Sequence, residues 1–142
     1  MPEAFVEAVM QVYGRRDVIE NTKRQYDQLT VDHKLPLIRW NEESQATLSN
    51  YSNLSPEYIK ANFQLLKKSN GSVSHNLLKS RSCERCVKSG NRGKPFGIDY
   101  FYEGTSKWGP SDLKDPRGCI GCGWYDFAEW RKSLNNLTRK SR

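Results

Sequence analysis

From Pro2 to Tyr13 the apolar residues Phe5, Val6, Val9, Met10 and Tyr13 recur at the three- and four-residue spacing of one helical face. Pro2 suits a first turn and Gly14 the residue after the last one, so the pattern predicts a packing helix. The polar stretch from Arg15 to Gln28 offers only Val18 and Ile19 as a second helical turn. Leu29-Thr30-Val31 is short and partly β-branched, which predicts a strand delivering Asp32-His33 to its end. Pro36 interrupts regular structure, and Asn41 to Asn53, polar and rich in Ser and Asn, predicts a loop. Ser55-Pro56-Glu57 has the cap, the first-turn proline and the carboxylate of a helix start. That helix must be short, because Phe63-Gln64-Leu65-Leu66 suits a second strand, although Leu and Gln also permit a helix. After a turn at Ser69-Asn70-Gly71-Ser72, His75 to Arg81 predicts a helix leading into Cys83. Ser89 to Pro95 reads as a basic loop, Phe96 to Tyr102 as a strand, and Trp124 to Leu137 as a helix with Phe127, Trp130 and Leu134 on one face.

Composition makes this a thin-cored, basic chain. Its 142 residues fit one domain, with 36% hydrophobic residues, so something besides burial should help to hold it. A net charge of +7 is the electrostatic footprint of a polyanion binder, against the plainer alternative of a soluble basic protein. No apolar run approaches the roughly 18 to 20 residues needed to span a bilayer, and the start lacks a leader pattern. No membrane association and a cytoplasmic location are therefore expected. In a reducing compartment, cysteines read as metal ligands before disulfides.

Cys83-x-x-Cys86 and Cys119-x-x-Cys122 are separated by 32 residues, the pattern of a tetrahedral four-thiolate zinc site. A closed site of that kind has no position for substrate, so the zinc is expected to be structural and any chemistry to lie elsewhere. A redox pair of CxxC motifs is the competing reading, but no thioredoxin-like βαβ pattern surrounds either one.

Asp32-His33 alone is an ordinary dipeptide. Set in order with Pro36, Asn62-Phe63-Gln64-Leu65-Leu66, Asn76-x-x-Lys79-Ser80 and the cysteines, it resembles the HNH, or ββα-metal, nucleases. The closest likeness is to HNH-type type II restriction endonucleases, over roughly Leu29 to Trp124. The resemblance implies an α+β fold with a ββα-metal core at 29–82 and a structural four-cysteine zinc module at 83–124; the apolar spacing adds flanking helical segments at 1–28 and 125–142. It further implies that Asp32 and Asn76 ligate a catalytic Mg²⁺ or Mn²⁺, that His33 is the general base, and that Asn62 steadies the loop bearing His33. His75 and Asn70 are alternatives to Asn76, because the interval from Asn62 is longer than the family's usual one; Asn76 is preferred because it keeps the register with Lys79 and Ser80, with His75 next. The long interval from His33 to Asn62 makes Arg39 to Asn53 an insertion expected to touch DNA or a partner subunit. Arg39, Lys79 and Arg81 are expected to contact phosphates of double-stranded DNA, and a palindromic target would imply a homodimer. The rival function is a non-enzymatic zinc module that binds nucleic acid or protein, with Asp32-His33 incidental.

Overall fold

The structure, a computed structural model, describes residues 1–68 and 74–140. Among them, five α-helices and one two-stranded antiparallel sheet form an α+β protein. Strands β1 (Leu29–His33) and β2 (Phe63–Lys67) pair with Leu29 opposite Lys67, Asp32 opposite Gln64 and His33 opposite Phe63. Side chains alternate between the faces of a strand, so Phe63 and Leu65 share one face of β2 while Gln64 and Leu66 share the other; all four are buried.

Helix α1 (Glu3–Val12) forms as its periodicity predicts and buries Phe5, Val9 and Met10 against Leu29, Ile59, Phe63 and Leu65. Helix α3 (Pro56–Asn62) starts at the predicted cap, where Ser55 Oγ accepts from the Tyr58 amide at 3.3 Å, and runs directly into β2. No helical turn forms at Val18 and Ile19. Instead Arg16 and Lys23 bridge around a turn in which the buried Asp17 carboxylate accepts from the Glu20 amide (2.6 Å) and Arg24 Nε (2.9 Å).

Three further expectations change. The stretch from Asn41 to Asn53 is not all loop, because it contains helix α2 (Glu42–Leu48), capped by Asn41 Oδ1 on the Ser44 amide at 2.8 Å. The predicted strand from Phe96 to Tyr102 does not form. Phe96 adopts a left-handed conformation (φ 54°) within a single 3₁₀ turn, which extended pairing forbids. Helix α4 (His75–Ser89) outruns its predicted end at Arg81, so Cys83 and Cys86 lie on a helix, stopped by Gly90 at φ 74°. α4 lies against β2, and the last helix, α5 (Phe127–Lys140), begins a few residues after Cys122. Leu35, Trp40, Leu48 and Cys119 form a second small apolar cluster, with Trp108 and Tyr125 packed against it. None of the described helices is long and apolar enough to cross a membrane.

Candidate metal and base site at the end of the hairpin

Because adjacent strand residues point to opposite faces, the sheet divides the Asp32-His33 pair. Asp32 turns towards α4. Its Oδ2 accepts from Lys79 Nζ at 2.6 Å and from Gln64 Nε2 at 3.0 Å, while no hydrogen bond among the described residues engages Oδ1. Gln64 is the polar residue in an otherwise apolar buried run, and its contacts explain it. Beyond Asp32 it donates to the Trp124 carbonyl at 3.3 Å and accepts from the Phe127 amide at 3.3 Å, tying the hairpin to the start of α5.

His33 turns the other way, between Trp40, Tyr51 and Phe63. Its Nε2 lies 3.1 Å from the Leu48 carbonyl oxygen and 3.2 Å from the Tyr51 hydroxyl. A carbonyl can only accept, so Nε2 carries the hydrogen and Nδ1 keeps its lone pair. Burial pushes the His33 pKa below its ordinary 6.5, outweighing the Leu48 hydrogen bond and the Asp32 charge, so the ring is neutral at pH 7. Two residues of the segment from Arg39 to Asn53, Leu48 at the end of α2 and Tyr51 just after it, thus hold this ring from within the fold. Sequence reasoning missed Leu48 and Tyr51, and a main-chain acceptor leaves no residue signature to find.

Asp32, His33, Asn76 and Lys79 line one open cavity of about 350 Å³, with Pro36, Leu37 and Ile38 at its rim. Asn76 sits in the first turn of α4, where its Oδ1 accepts from the Ser74 hydroxyl. His75 is rotated away by one helical position. Its Nε2 approaches Glu20 Oε1 at 3.7 Å, its ring meets Phe96 edge-on, and its Nδ1 is buried without a partner among the described residues. Asn70 lies outside the described residues. Asn62 also stays out of the cavity: its side chain donates to the Tyr58 carbonyl (3.0 Å), and its main-chain oxygen receives the Lys34 amide (2.9 Å). Any steadying of the segment after His33 thus comes from the Asn62 backbone rather than its amide side chain.

Two of the three residues expected to contact phosphates are buried and hold partners within the fold. Lys79 is 3% exposed, and besides Asp32 its ammonium donates to the carbonyls of His33 (3.0 Å) and Lys34 (2.9 Å). Arg39 is 2% exposed and stacks on Trp108, 3.5 Å from ring centre, while donating to the Leu113 carbonyl (2.7 Å) and to Cys86 Sγ (3.4 Å). Arg81 remains exposed on α4. The Lys79 ammonium is a cross-link between α4 and the end of β1, so Lys79→Met leaves the Asp32 carboxylate with Gln64 but no cation, and takes a donor from two carbonyls. Urea denaturation of that variant is expected to show a loss of about 3 kcal/mol, the scale of breaking one side of a largely buried pair; unchanged stability would remove the cross-link.

The four cysteines form no disulfide and line one small cavity of about 30 Å³, together with Arg39, Arg92 and Trp108. Burial raises the Cys83 and Cys119 thiols to about 12, so these sulfurs stay protonated unless a cation displaces the protons. No three of the sulfurs come within 4.8 Å of one another; among the described residues that spacing is met by Asp17, Glu20 and His75. In the latter group the carboxylates are already answered, Asp17 by Arg24 at 2.9 Å and Glu20 by Lys67 at 2.7 Å. Around the cysteines the surplus runs the other way. Trp108 Nε1 is buried without an acceptor, and Arg39 already donates to sulfur, so the donors in this wall suit an anionic tetrathiolate. The intervening chain is held by Arg92, whose guanidinium donates to the carbonyls of Glu103 (2.6 Å), Thr105 (2.8 Å) and Ile120 (2.7 Å).

Compared with protein-family models, curated proteins and solved structures, the chain matches none.

Proposed function

We propose that this chain is a divalent-metal-dependent DNA endonuclease of the HNH, ββα-metal type, acting on double-stranded DNA as a sequence-specific type II restriction enzyme. What supports this most is His33: its Nε2 is pinned to the Leu48 carbonyl, which leaves Nδ1 as the basic nitrogen, and the residue borders the same cavity as Asp32 and Asn76. A merely exposed loop histidine would need no such clamp.

Asp32 Oδ1 and the Asn76 side-chain oxygen are the hard donors that would hold Mg²⁺ or Mn²⁺, a cation content with few protein oxygens. Such an ion, when bound, supplies Lewis-acid stabilisation to the scissile phosphate and the departing oxygen. His33 Nδ1 takes a proton from the attacking water, whose oxygen bonds to phosphorus as the P–O3′ bond breaks; the departing O3′ takes a proton from a second water, giving 5′-phosphate and 3′-hydroxyl ends. The Leu48 carbonyl holds the ring in its tautomer and stabilises the imidazolium that forms. Lys79 and Gln64 fix Asp32 by one oxygen and so aim the other. Cys83, Cys86, Cys119 and Cys122 would hold a structural Zn²⁺, consistent with a reducing, cytoplasmic setting. A palindromic target would be met by a homodimer.

The test is incubation of supercoiled and linear DNA with Mg²⁺ or Mn²⁺, with EDTA as control, followed by sequencing of the ends. Defined fragments support a restriction enzyme and diffuse nicking a non-specific nuclease. No cleavage under any condition favours the non-enzymatic zinc module. A pH profile adds a sharper test. Only neutral His33 accepts a proton, and its pKa lies below the ordinary 6.5, so kcat/KM should be flat from neutral pH upward and fall on acidification through an inflection under 6.5. An inflection near or above neutral pH would exclude His33 as the base.

A further inference from the structure

The face of α4 away from the candidate cleavage cavity borders a second, larger groove of about 690 Å³. Asn76, Lys79, Ser80 and Cys83 line the first cavity, whereas Leu78, Ser82, Arg85 and Ser89 line this one, so the two lie on opposite sides of the helix. The charged residues in its lining are all cationic: Arg85, Lys88, Arg92 and Lys94. Arg92 is committed to carbonyls, and Lys94 shares its charge with the exposed Asp99 at 3.5 Å. Arg85 and Lys88 are exposed and make no ion pair among the described residues.

An aromatic ring stands in the same wall. Phe96 is 53% exposed although it holds a left-handed backbone conformation that costs energy for any residue with a Cβ. One side of the ring leans on Trp124 and Phe127, at 5.8 and 6.4 Å between centres, and on the edge of His75, which leaves the rest of it open. A rigidly backed, half-open ring among uncompensated cations matches the chemistry of a nucleotide chain whose bases are not already stacked on one another. Phosphates would answer Arg85 and Lys88, and a base would lie on Phe96. In an intact duplex each base face is covered by its neighbours, so an open ring adds nothing there.

We infer that the groove formed by Arg85, Lys88, Lys94 and Phe96 is a binding site for single-stranded nucleic acid, separate from the cavity that holds Asp32 and His33. It rests on the groove alone and does not require the nuclease assignment.

The experiment is fluorescence anisotropy of labelled oligothymidylate with the full, zinc-loaded chain at low salt and without added Mg²⁺. The parent is expected to bind, and to prefer the single strand to a hairpin duplex as competitor at this groove. Arg85→Glu with Lys88→Glu should weaken binding by about tenfold or more, with a shallower dependence on salt. Phe96→Leu should weaken it by about tenfold with the salt dependence unchanged, the scale of losing one base–aromatic stack. Circular dichroism confirms that each variant is folded, and the exposed charge-reversal pair serves should Phe96→Leu lose structure. Parent-like affinity in the charge-reversal pair, or in a folded Phe96→Leu, overturns the site. Plasmid cleavage separates the two ideas, since neither variant touches the cleavage cavity. Groove-dependent binding without any cleavage would sink the nuclease and leave the groove, and cleavage with parent-like binding in the variants would do the reverse.

Discussion

His33→Ala should lower the rate of metal-dependent DNA cleavage by about 10²- to 10⁴-fold, the usual worth of a positioned general base. Binding of duplex DNA should persist, because the ring faces Trp40, Tyr51 and Phe63 rather than a basic surface. Removing that ring also opens a gap among three aromatic residues, so some stability will be lost with the activity. His33→Gln separates the two effects, since its amide can still donate to the Leu48 carbonyl but cannot act as a base near neutral pH. Both variants are expected to be inactive, with His33→Gln melting closer to the parent. Tyr51→Phe should cost much less, because Leu48 alone still fixes the tautomer. Single-turnover cleavage with a melting curve for each protein decides the matter: an active, folded His33→Gln enzyme would end the assignment of His33 as base.

Cys119→Ser carries the largest expected effect on the fold. A structural four-thiolate zinc contributes roughly 10 to 16 kcal/mol of apparent binding free energy at neutral pH, comparable to the whole stability of about 5 to 15 kcal/mol typical of a domain. This chain has little apolar reserve, at 36% hydrophobic residues. The variant should therefore emerge aggregated or without a cooperative melt. Cys119 belongs to the same apolar cluster as Leu35, Trp40 and Leu48, and Leu48 supplies the carbonyl on His33. On the proposed reading, loss of the zinc would reach His33 through α2, so that any soluble fraction is expected to be inactive as well as unstable. Metal content by mass spectrometry and melting temperature check this directly; a Cys119→Ser protein with full zinc and a parent-like melt would show that these four sulfurs are not the ligand set.

The elements that were legible in the sequence are those whose causes are local. The spacing of Phe5, Val9 and Met10 makes one buried face whatever it packs against, and Ser55-Pro56 caps α3 within four residues. The strand ending in Asp32-His33 and its partner beginning at Phe63 follow from short apolar runs with clear stops. Helix α2 escaped because a seven-residue helix with Leu48 as its one buried apolar side chain carries almost no periodic signal. The strand expected from Phe96 failed for a comparable reason: aromatic content suggested pairing, while the backbone at Pro95–Gly97 closes a turn.

The candidate site divides along the same line. The residue types at the hairpin end, Asp32, His33 and an asparagine on the following helix, were readable because order along the chain survives folding. Which of Asn76 and His75 faces the cavity was not, since neighbouring helical residues point about 100° apart and only the docking of α4 on β2 fixes the rotation. Arg39 and Lys79 looked like surface cations because burying a charge is costly unless it is paired, and their partners, a sulfur, a carboxylate and several carbonyls, lie about 45 to 75 residues away in the chain. The sequence by itself determined α1, the start of α3, the strand that ends in Asp32-His33, the basic surplus and the inventory of donor atoms, all set by local periodicity and composition. Only the tertiary structure decided which cations are buried, which carbonyl holds His33 and which helical face meets the cavity, because each depends on contacts between segments that no local pattern encodes.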